Sequence, residues 1–114
     1  MPSQHRKHRG YATQRIVASY LATRGWPHAY AIGAGESGDD IQGVLDIAVE
    51  VKARTGFSPL AAIRQMQARR TSALPFAVLR MDGTGEATIV DWPVVLRLED
   101  VVALLREAGY GSDG

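Results

Sequence analysis

The chain has 114 residues, 46% of them apolar and 22% charged, with a formal net charge of +1 and no cysteine. That length suits one domain around one core, and it is too short for a two-domain dehydrogenase, a repeat array or a barrel of eight βα units. Without cysteine there is no disulfide framework, Cys-ligated zinc or thiol nucleophile, which suits a reducing cytoplasm, and no apolar run approaches the ~18 residues of a membrane span or follows the basic N-terminus as a signal peptide requires.

In chain order, residues 1–9 read as a basic polar tail, residues 10–110 as a single domain and residues 111–114 as a short C-terminal tail. Ile16, Val17, Tyr20 and Leu21 recur at helical spacing over 12–24, and Gly25 supplies a stop. Residues 26–32 read as a strand entered through Pro27. After the glycine-rich stretch 33–38, residues 40–45 and 46–53 read as two strands joined as a hairpin. Ser58 and Pro59 are a good N-cap and first helical residue for a helix running to about Arg70. Residues 75–81 and 86–92 read as strands flanking a hairpin loop at 82–85, and 98–108 as a helix stopped by Gly109. The expected order is α-β-β-β-α-β-β-α, a mixed sheet covered by helices in the α/β class.

The charges fall in blocks. Residues 1–35 hold Arg6, Lys7, Arg9, Arg15 and Arg24 and no acid; 36–50 hold Glu36, Asp39, Asp40, Asp46 and Glu50 and no base. Residues 51–80 return to six bases, Lys52, Arg54, Arg64, Arg69, Arg70 and Arg80, without an acid, and 81–114 set two arginines against seven acids. An acidic block between two basic ones is the layout of a metal site inside a surface that binds a polyanion. In an extended strand Ile47, Val49 and Val51 share one face and Asp46, Ala48, Glu50 and Lys52 the other, so Glu50 and Lys52 stand ~7 Å apart. Asp40 on the neighbouring strand brings a second carboxylate if the register allows. Two carboxylates with open positions are the usual protein share of a magnesium site, and a lysine beside it can orient a water or stabilise a phosphate in flight. The chain has eleven arginines and two lysines, and Lys52 is the only lysine beyond the tail. A compact amine with an adjustable pKa is what such chemistry needs, where a guanidinium is not. The competing reading is a surface strand with an ordinary Glu and Lys on its wet face.

Asp40 followed after nine residues by Glu50, Val51 and Lys52 resembles the signature of the PD-(D/E)xK nuclease superfamily, and the element order resembles its restriction-endonuclease-like core. Gly10, Tyr11, Ala12, Thr13, Gln14 and Arg15 opening an amphipathic helix, then Gly25 and Trp26, Gly33, Ala34 and Gly35, and the two acidic motifs, are similar in sequence and spacing to archaeal-type Holliday junction resolvases over residues 9–81. Gln14 stands where those resolvases have Glu, and Ala34 where they have Ser. The resemblance implies a magnesium-dependent endonuclease acting on branched or duplex DNA, with manganese able to replace magnesium, working as a homodimer. It implies Asp40, Glu50 and the Val51 carbonyl as metal ligands, Lys52 as the catalytic lysine, and Gln14 and Arg15 in the active site, Arg15 near the scissile phosphate. Arg6, Lys7, Arg9, Arg15, Arg54, Arg64, Arg69 and Arg70 are the expected DNA-binding residues. A nicking or end-processing nuclease of the same superfamily and a non-catalytic DNA-binding module are the alternatives. Residues 33–38 also spell G-x-G-x-x-G, but Glu36, Asp39 and Asp40 crowd that loop where a pyrophosphate needs positive potential. The surplus of apolar residues over 94–105 invites a dimer interface or a helix capping the core.

Overall fold

A computed structural model describes residues 2–33, 40–53, 58–68 and 73–112, the side chains of 2–9, 59, 66 and 67 excepted. The first helix, α1 (Pro2–Ala22), begins ten residues before the apolar spacing places it, with Pro2 at the first helical position, where a missing N–H costs nothing. Thr13, Val17 and Leu21, four residues apart, are buried along one stripe together with Ala18. The helix stops where Gly25 takes φ 128°, which lets the Trp26 amide reach back to the Leu21 carbonyl at 3.0 Å.

The strand expected over 26–32 shrinks to β1 (Tyr30–Ala31). Residues 26–29 are a turn instead, closed by the Ala29 amide on the Trp26 carbonyl at 3.0 Å, and the Trp26 indole donates to Asp46 at 2.8 Å. Nor do 40–45 and 46–53 form a hairpin. β2 (Ile41–Gln42) pairs antiparallel with β1, Tyr30 opposite Gln42 and Ala31 opposite Ile41. β3 (Ile47–Lys52) runs parallel to β4 (Leu74–Leu79), Ile47 opposite Leu74 and Glu50 opposite Ala77. A strand covered on both faces suits a parallel sheet, and Ile47, Ala48, Val49, Glu50 and Val51 are all buried. Gly43, at φ 79°, turns the chain between β2 and β3, and a Cβ there would run into the His28 carbonyl.

Between β3 and β4, α2 (Pro59–Ala68) starts as the sequence predicts: the Ser58 hydroxyl accepts from the Ala61 amide at 3.2 Å. The strand expected over 86–92 is a 3₁₀ helix, Glu86–Asp91. Local bonds win there, since the Thr88 amide and hydroxyl both donate to the Gly85 carbonyl, at 3.1 and 3.0 Å. The antiparallel neighbour of β4 is β5 (Val94–Val95), with Ala77 opposite Val95. α3 (Leu98–Glu107) follows, and Gly109 at φ 97° comes just past its end, as expected.

The result is a mixed α/β fold with a three-stranded sheet ordered β3-β4-β5 and a two-stranded ribbon β1-β2. Val17, Ala18 and Leu21 of α1 pack with Ile41, Val49, Val51, Val78 and Trp92 in the larger core, while Ala62 and Ile63 of α2 cover Ala77 on the opposite sheet face. Phe76 and Trp26 pack against the larger core. Arg80 ties three parts together: its guanidinium donates to the Thr13 hydroxyl at 2.9 Å and the Thr84 carbonyl at 3.2 Å, and lies 5.6 Å over the Trp92 ring. No residue of α3 is buried, so it does not cap the core. Among the described residues no helix is long and apolar enough to cross a membrane.

Candidate functional site

The free edge of β3 organises the site. The Asp46 and Lys52 carbonyls accept from the Leu74 and Arg80 amides, at 3.0 and 2.8 Å, so the even-numbered backbone groups of β3 face β4. The odd-numbered groups face the opposite edge, and there the Val51 amide donates to the Asp40 carboxylate at 2.7 Å. In an extended strand the C=O of a residue leaves on the same edge as its N–H, so the Val51 carbonyl is directed toward the Asp40 side. Asp40 itself is fixed by the ribbon: its carbonyl accepts from the Ile32 amide at 3.3 Å, extending the β1-β2 pairing by one step.

Glu50 is only 5% exposed, which removes the reading of β3 as a strand with a wet face. It shares a sheet face with Ala77, beneath α2, and with half-buried Lys52 two residues on. Asp40 and Glu50 meet: burial, a hydrogen bond shared with Glu50 and the Glu50 charge push the Asp40 carboxyl up to about 7, against the Val51 amide and the Lys52 charge, which favour its ionised form. Asp40, half-buried against Glu50, therefore retains a proton at a pH where a free aspartate has lost it. A pair so placed takes up a proton or a cation. Among the described residues there is no group of three or more His, Asp or Glu able to hold a metal.

The other expected site residues lie as follows. Gln14 accepts from the Gly33 amide at 3.4 Å, so it holds the exit of β1, the segment that leads on to Asp40. Arg15 is exposed, with its guanidinium 5.9 Å over the Tyr11 ring. Arg64 is exposed on α2. Arg6, Lys7 and Arg9 lie on the first turns of α1, with side chains outside the description; Arg54, Arg69 and Arg70 lie outside the described residues, as do Glu36 and Asp39. Asp46 leaves the acidic block, exposed and bonded to Trp26. The Val51 amide, which orients Asp40, carries no sequence signal, because every residue but proline has one.

Compared with protein-family models, with curated proteins and with solved structures, the chain matches none.

Proposed function

We propose that the chain is a magnesium-dependent DNA endonuclease with a restriction-endonuclease-like core, acting on branched DNA as a homodimer. The observation that carries this reading is the pairing of half-buried Asp40 with buried Glu50, with Asp40 raised to about 7, on the same strand edge and face that present the Val51 carbonyl and Lys52. Bringing two carboxylates together, one of them buried, opposes folding unless something offsets their charge, and a hard divalent ion does so with oxygen ligands alone. Asp40, Glu50 and the Val51 carbonyl would hold it, leaving the remaining positions for water and phosphate oxygen. Magnesium bound there supplies charge to a phosphodiester and acidity to a water. Lys52, on the face of Glu50, donates to the phosphate oxygens or holds the attacking water, and Arg15 and Arg64 offer exposed charge to the flanking phosphates.

The homodimer reading rests on α3. Leu98, Val102 and Leu105 lie at i, i+4 and i+7 and are exposed together with Leu104. An antiparallel two-fold pairing centred near Val102 would set these apolar side chains against their copies, with Arg106 of one copy opposite Glu99 of the other, which its own Arg97 already holds at 3.3 Å. The functional test is strand scission on matched four-way junction, flap, duplex and single-stranded substrates, with magnesium and with excess chelator. The expected result is magnesium-dependent cutting that favours the junction. Equal cutting in chelator contradicts the metal site; binding without cutting favours a DNA-binding module; equal cutting of duplex and junction favours a general nuclease.

A further inference from the structure

Between α1 and β1 an open groove of about 410 Å³ is walled by Tyr11, Arg15 and Ser19 of α1 and by Tyr30 of β1, and floored by four alanines. Tyr11, Arg15 and Ser19 are spaced four residues apart and so form one ridge. Tyr30 is 58% exposed and Tyr11 41%, which leaves aromatic surface in water that a core tyrosine would bury. Among the described residues no acid lines the groove, and Arg15 supplies its charge.

We propose that this groove holds an unpaired nucleotide of a DNA substrate, its base stacked on the tyrosines and its phosphate against Arg15; the proposal rests on the nuclease reading and names the substrate class of that site. Three observations carry it. The volume lies in the range of small-ligand sites, ~300 to 1,000 Å³, and is far too small for a duplex, whose major groove alone is ~12 Å wide. A floor of methyl groups between aromatic walls accepts a flat ring of any base, and sequence-tolerant stacking of this kind is how single strands are held. The Tyr30 wall of the groove also lies near Asp40: Tyr30 pairs with Gln42, Ile32 meets Asp40 two residues along the same ribbon, and the two-residue period puts Tyr30 and Asp40 on one side of it as diagonal neighbours, ~7 to 8 Å apart at the backbone. A strand cut at Asp40 and Glu50 thus reaches the groove only where a nucleotide beside the cut is free of its complement, which is the condition at a junction centre, a flap base or a gap and not within continuous duplex.

The test is binding in chelator, where nothing is cut, to a duplex with a short gap carrying 2-aminopurine and to the same duplex without the gap. Wild type is expected to quench the fluorophore in the gap and to bind the gapped DNA more tightly. Tyr30→Ala is expected to weaken gapped binding about ten-fold and leave duplex binding within about two-fold, while Tyr30→Phe retains wild-type behaviour, since stacking needs the ring and not the hydroxyl. Equal loss on both substrates, or no loss with Tyr30→Ala, overturns the proposal. A chain that shows this Tyr30 dependence but cuts nothing in magnesium loses the nuclease reading and keeps the groove; one that cuts but ignores Tyr30→Ala does the reverse.

Discussion

Asp40 keeps its proton to about pH 7 because burial and Glu50 both oppose its ionisation. In the unfolded chain an aspartate ionises near pH 4, so between about 4 and 7 the folded state binds more protons and stability falls as pH rises across that window. In chelator, the midpoint of thermal unfolding is therefore expected to drop more between pH 5 and 8 for wild type than for Asp40→Asn, and superimposable profiles would contradict the contact between Asp40 and Glu50. Magnesium, binding the folded state only, should raise the midpoint more at pH 8 than at pH 5. Lys52 makes a separate prediction. If it only balances charge, Lys52→Arg is nearly neutral, because a surface ion pair contributes ~0 to 1 kcal/mol and arginine keeps the charge. If it acts on the phosphate or water, the planar fork cannot take the place of the amine, and single-turnover cleavage should fall ~10²-fold, or ~2.7 kcal/mol, with DNA affinity unchanged. Arg64→Lys, on the exposed face of α2, is the control and should turn over like wild type.

Among the elements, the position of β3 was readable only in part. The two-residue alternation assigns Glu50 and Lys52 to one face and the valines to the other, and the structure keeps that assignment. The alternation also suggests a half-exposed hairpin strand, because polar residues on one face normally meet water. Here α2 covers that face, and no local pattern records a helix that arrives after the strand. The 3₁₀ helix at Glu86–Asp91 escaped for a related reason: Thr88, Ile89 and Val90 favour strand, and the local hydrogen bonds of the Thr88 amide and hydroxyl to Gly85 overrode propensity. Caps and stops were legible, as Ser58, Gly25 and Gly109 illustrate, because they depend on single residues. Gly43 is the sharpest instance: Gly43→Ala meets both a positive φ and the His28 carbonyl, and should lower stability by more than ~1 kcal/mol in denaturant unfolding. For α3 the expectation concerns association. Leu105→Glu should turn a sedimenting dimer into a monomer with stability within ~0.5 kcal/mol of wild type, since Leu105 is exposed in the single chain; an unchanged dimer would move the interface elsewhere.

At the scale of the whole molecule, the order of the charge blocks does not say which of their members converge. Asp40 and Glu50 of the acidic block converge, whereas Asp46 turns out to Trp26, so order along the chain located the pair without counting its members. Arg80, one of the basic block, is spent inside the fold on Thr13 and Trp92. The arginines that remain exposed should make binding fall steeply with salt, and Arg64→Ala should flatten the log-log slope by ~1, the share of one phosphate contact. The central claim, that the Asp40 and Glu50 pair is a metal site that cuts DNA, is tested most directly by single-turnover cleavage of a four-way junction at saturating protein and magnesium, wild type against Glu50→Gln. The account predicts that wild type cuts and that Glu50→Gln binds the junction at least as tightly yet cuts it at least ~10²-fold more slowly. Equal cleavage rates for the two proteins would contradict it.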